Sequence, residues 1–141
     1  MVDRLPEKFS LLEYDILNLT RGLFTAKSQY YTISLHWRLS QLKNKVVDSG
    51  INWMIPHVLH LVFSQLGVEY EVEERRVTWG GRPRVLKKVR VNCRQLQAIG
   101  KERFTATVHQ IIKDIYNDRI KIKRGEHPWR KEAIAVGYSM Q

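Results

Sequence analysis

Glu69, Glu71 and Glu73 alternate within the stretch Val68 to Cys93, so a strand there carries all three carboxylates on one face. Asp114 and Asp118 stand one helical turn apart. Carboxylates gathered around a metal ion, often with a lysine close by, are what a metal-dependent nuclease needs. Neither group has a recognisable signature, and Arg90 and its neighbours are simpler partners for the glutamates. His57 and His60, three apart, could reach one metal from a helix, yet no third ligand is evident. Gly80-Gly81 lacks the Gly-Lys-Ser/Thr ending of a phosphate loop. Cys93 stands beside Arg94, which can lower a thiol pKa, but a lone cysteine at a strand end is more simply packed. No catalytic residue, metal ligand or cofactor is assigned on these grounds.

The cations are more informative. The formal net charge is +10 over 141 residues, with 43% hydrophobic and 27% charged residues. A basic domain of this kind is drawn to polyanions: DNA, RNA or an anionic membrane surface. The excess lies late in the chain: residues 1–50 have a net of +2, residues 68–93 of +3 and residues 94–141 of +5. Within 68–93 the sequence opens acidic and turns basic, with Arg75, Arg76, Arg82, Arg84, Lys87 and Lys88, and Trp79 among them. Lys121, Lys123, Arg124, Arg130 and Lys131 add a second cluster around Trp129. Aromatic rings among cations can stack on bases while the cations neutralise phosphates. The plainer reading is solvated cations, those of the hairpin protecting a sheet edge, with Trp129 plugging the edge of the core.

These residues need elements to position them. Val68 to Cys93 reads as two strands, with Gly80 to Pro83 as the loop. That register sets Trp79 against Arg84, Val72 against Val91 and Glu73 against Arg90. The base of this hairpin packs on a core, and Arg75 to Lys88 forms a projecting basic ribbon able to enter a groove or lie along phosphates. Ser10-Leu11-Leu12-Glu13 fits a capping box, so a helix is expected from Leu11 to Phe24. Residues 26–48 fit two templates. Tyr31, Ile33, Leu35, Trp37 and Leu39 alternate as in a strand, but Tyr31, Leu35, Leu39, Leu42 and Val46 fit a helix. The favoured reading is one long helix, Ser28 to Val47, with a strand followed by a short helix as the alternative. His36, Arg38, Lys43 and Lys45 then form a solvated face.

Ile51 to Gly67 has no charged residue and is too short and interrupted for a membrane span of about 20 residues. It is expected to be the central core helix, capped by Asn52, with Pro56 in its first turn and Gly67 at its end. Helix–helix–helix–hairpin invites a winged-helix comparison, but this third helix has no Lys or Arg with which to read a major groove. Later come a short turn, Arg94 to Ile99, and a helix from Thr105 to Asn117. Asp118 to Arg124 reads as a short strand or arm with Ile120 and Ile122 inward, and the tail, Glu132 to Gln141, as docking on the domain.

The expectation is a single α+β domain over residues 1–141: four or five helices with a projecting basic β-hairpin. Its expected role is non-enzymatic binding of DNA or RNA. The alternatives are a protein-interaction adaptor or inhibitor of a nucleic-acid machine, and a small metal-dependent nuclease. One cysteine and no long apolar run at the N-terminus fit a cytoplasmic setting, with no membrane partner expected.

Overall fold

A computed structural model describes residues 4–42, 45–48, 53–79 and 81–123; for 36–42, 45–48, 76–79 and 82–85 that description is of the backbone. The order is α1 (Glu7–Leu19), a 3-10 turn (Arg21–Phe24), β1 (Tyr30–Leu42), β2 (Lys45–Asp48), α2 (Met54–Leu66), β3 (Tyr70–Trp79), β4 (Arg82–Asn92), α3 (Cys93–Ile99) and α4 (Lys101–Tyr116). Helices and an antiparallel sheet together make an α+β fold. Three strands, β3-β4-β1, form the body of the sheet, and β2 pairs with the far end of β1, Leu39 to Leu42.

The expected helix Ser28–Val47 is not formed. Residues 30–42 are β1, so the strand of the alternative reading is present, while Lys45–Asp48 is a second strand where that reading has a short helix. The deciding factor is non-local. β4 offers β1 a partner from Tyr30↔Asn92 to Arg38↔Arg84, which buries the alternating residues Ile33 and Leu35. Tyr31, which fits both patterns, is 40% exposed. Local helix propensity is a weak prior that such pairing overrides.

The hairpin register also differs. Trp79 pairs with Arg82 rather than Arg84, Val72 with Val89, Glu73 with Lys88, and Glu71 with Arg90. The strands are therefore closed by the pair Trp79–Arg82, and Gly81, just before Arg82, has φ +75°, in the region that favours glycine. Pro83 belongs to β4, opposite Thr78. Paired residues in an antiparallel ladder alternate between those that exchange hydrogen bonds and those that do not. Next to the closing pair Trp79/Arg82, Pro83 takes a position of the second kind, where its missing N–H breaks no bond to β3.

One face of the sheet is covered by helices. Ile33, Leu35, Val72, Val89 and Val91 are buried with Leu12, Ile16, Val58, Val62, Phe63, Phe104, Val108 and Ile112. α2 is the central helix, as its composition implies, with Met54 to Leu59, Val62 and Phe63 all buried. Asn52 lies outside the described residues. Pro56 sits at the third helical position, where no intrahelical N–H bond is lost. Gly67 ends the helix in the left-handed region, φ +70°, and Val68 N–H donates to the Phe63 carbonyl oxygen at 2.9 Å.

Two helix starts lie earlier than the sequence suggests. α1 begins at Glu7, so Ser10 is inside it, and its hydroxyl donates to the Leu5 carbonyl oxygen at 3.4 Å instead of capping. α4 begins at Lys101, directly after Gly100. Residues 118–123 form no strand, yet Ile120 and Ile122 pack against the core. Among the described residues no helix is long and apolar enough to cross a membrane.

Candidate nucleic-acid interface

The register sorts the hairpin's charges by face. On the covered face, successive rows across β3, β4 and β1 are Val72–Val89–Ile33 and then Glu74–Lys87–Leu35. Lys87 is 3% exposed, Glu74 6%, and the Lys87 Nζ lies 3.4 Å from Glu74 Oε1. Lys87 is thus withdrawn from the surface and occupied by a carboxylate. It does not belong to an anion-binding face, contrary to expectation. Arg76 is in this same covered phase, opposite Val85.

The other phase holds the rows Glu71–Arg90–Thr32, Glu73–Lys88–Ser34, Arg75–Leu86–His36 and Val77–Arg84–Arg38, and then the pair Trp79–Arg82. Its near end is charge-balanced. Arg90 lies 3.6 Å from Glu71 Oε2, with its guanidinium 3.9 Å from the centroid of the Tyr30 ring. Tyr30 Oη donates to Glu69 Oε1 at 3.1 Å, and Asn92 Nδ2 donates to the same oxygen at 3.2 Å. The bond to Glu69 holds the Tyr30 phenol above its ordinary pKa, because ionising it sets two negative oxygens side by side. Arg75 reaches Glu73 at 3.4 Å, an exposed pair of small energetic value. Lys88 is exposed.

Beyond Glu73 this phase has no acidic position. Arg75, Arg84, Arg38 and Arg82 follow in three rows spanning about 14 Å at 3.4 Å per residue, and β2 adds Lys45 opposite Leu42. Arg38 and Arg84 are direct partners, and like charges so placed repel. The helical reading of residues 28–47 puts Arg38 on a solvated face; as part of β1 it belongs to the outward phase of the sheet. The strand alternation of Tyr31, Ile33 and Leu35 was the signal that could have placed it here.

Of the C-terminal cations, the two that are described lie elsewhere. Lys121 and Lys123 are exposed on the helical side, at a cleft shared with Lys8, Trp53 and Met54. Arg124, Trp129, Arg130, Lys131 and the expected tail contact, 132–141, lie outside the described residues. The side chains of Arg38, Lys45, Arg76, Trp79, Arg82 and Arg84 are likewise outside the description, so their placement here is by register alone.

The groups that could do other chemistry have structural occupations. His57 is buried with its ring 5.7 Å from that of Trp53, and His60 Nδ1 meets the Tyr70 hydroxyl. Cys93 Sγ donates to the carbonyl oxygens of Ser28, at 2.9 Å, and Gln29, at 3.2 Å, tying α3 to the two residues that precede β1. Asp114 accepts from Gln110 Nε2 at 2.8 Å. Among the described residues no group of three or more His, Cys, Asp or Glu could hold a metal ion. Comparison with protein-family models, with curated proteins and with solved structures finds no match for this chain.

Proposed function

We propose that the far half of the outward sheet face binds the phosphate backbone of a nucleic acid, DNA or RNA, without acting on it chemically. The observation that carries this reading is the pairing of Arg38 with Arg84. Arg75 and Arg82 occupy the neighbouring rows of the same phase, which has no carboxylate beyond Glu73. A cationic surface that repels itself gains from a polyanion twice, through direct attraction and through relief of repulsion. Trp79, at the last row, supplies a ring for base stacking, and Lys88 extends the footprint towards the base of the sheet. Arginine suits this task because its planar fork takes two phosphate oxygens at once.

The binding element of this proposal differs from a two-stranded ribbon. Three strands contribute, and a residue from the first third of the chain, Arg38, stands at its middle. The test is a salt series with duplex DNA, single-stranded DNA and RNA. Four neutralised phosphates give duplex DNA a slope of log K against log salt of about −3.6. Undetectable binding of all three at low salt would end the proposal.

A further inference from the structure

A second surface, on the helical side, has the opposite make-up: apolar within and cationic at the rim. It is an open cleft of about 880 Å³, of the size that takes a small molecule. Phe9 from α1, Met54 from α2 and Ile115 from α4 line it, together with Trp53, Ile120 and Ile122. Lys8, Lys121 and Lys123 border this lining, against the single carboxylate of Asp118. All three lysines are exposed.

We propose that this cleft binds a single-chain anionic amphiphile, a long-chain fatty carboxylate, with the hydrocarbon on the isoleucines and Met54 and the carboxylate among the lysines. The lining favours hydrocarbon over a nucleobase. Most of it is aliphatic, and its aromatic rings already have neighbours. Phe9 packs edge-on against Tyr116 at 5.3 Å and lies under the Lys8 ammonium at 5.5 Å. Trp53 packs edge-on against His57. A base needs a bare ring face to stack on, whereas an alkyl chain needs only apolar surface removed from water. The excess of ammonium groups over carboxylates supplies the complementary charge for the head group. This site is separate from the outward sheet face, so it stands or falls independently of nucleic-acid binding.

The test is titration of the full chain with straight-chain carboxylates of about 8, 12 and 16 carbons, below their micelle concentrations, alongside the alkanols of equal length. Affinity is expected to rise by up to about fourfold per methylene while the chain still finds apolar lining, the ratio set by the transfer of one CH2 from water. The alkanols should bind about tenfold more weakly, a difference of about 1.4 kcal/mol. Lys121→Gln with Lys123→Gln should remove most of that difference while leaving alkanol affinity and the circular dichroism spectrum unchanged. Three results each overturn the proposal. The first is no saturable binding by the full chain. The second is an affinity independent of chain length, which marks ion pairing alone. The third is binding that appears only after residues 124–141 are deleted, which assigns the cleft to the chain's own tail.

Discussion

Lys87 and Glu74 face each other across β3 and β4 with 3.4 Å between Nζ and Oε1, both almost wholly buried beside Leu35. An ion pair in this position does more for register than for net stability. A slip of one residue would carry Lys87 to the solvent face and leave Glu74 buried without it. Removing one partner strands the other charge among apolar groups. Lys87→Met is expected to cost about 3–5 kcal/mol in chemical denaturation, and Glu74→Leu a similar amount. The double variant should be far less destabilised than the sum, close to the parent protein. Additive losses in this cycle would mean that the two side chains do not act as a pair.

Gly67 separates the central helix from β3 at φ +70°, and a Cβ there would meet nothing within 4 Å. Space is therefore not the constraint; the backbone conformation is. Gly67→Ala should destabilise by about 1 kcal/mol, the cost of holding an L-residue in the left-handed region. Equilibrium denaturation with an unchanged m-value would confirm a local strain. A neutral effect would show that the helix can end another way.

Tyr30 donates to Glu69, which raises its pKa above the ordinary value near 10. The raised folded value means that the protonated phenol is favoured by the fold. Its contribution is fully present below the ordinary pKa and is lost as pH rises through the raised one. NMR titration of the Tyr30 ring should therefore give a midpoint above that of a free tyrosine, and Glu69→Gln should lower it. A midpoint unaffected by Glu69→Gln would remove the carboxylate as the cause.

Much of the helical layer is readable in the chain because its signals are local. The uncharged run before Gly67 announces α2, and Val108, Ile111 and Ile112 announce α4. β1 is where local reading fails. Its second half, Arg-Leu-Ser-Gln-Leu, satisfies a helical period as well as a strand's, and the strand is set by pairing: residues 30–38 with β4, some fifty residues later in the chain, and residues 39–42 with β2. The binding face suffers the same way. The cations of 75–88 are visible as a cluster, but sequence cannot say that Lys87 turns inward to Glu74. Nor can it say that Arg38 comes to lie against Arg84, since both follow from register. A two-residue shift arose from one residue: Pro83 reads as a loop residue, yet a position next to the closing pair of a tight hairpin accommodates it within the strand.

The most direct measurement is the salt dependence of nucleic-acid affinity for the parent protein, Arg38→Ala, Arg84→Ala and, as a control, Arg103→Ala on α4, which is exposed on the helical side. Each sheet variant should weaken binding to duplex DNA and flatten the slope of log K against log salt by about 0.9, one phosphate contact, while Arg103→Ala leaves both unchanged. If Arg103→Ala flattens the slope as much as Arg38→Ala does, the attraction belongs to net charge and the outward sheet face is not the binding surface.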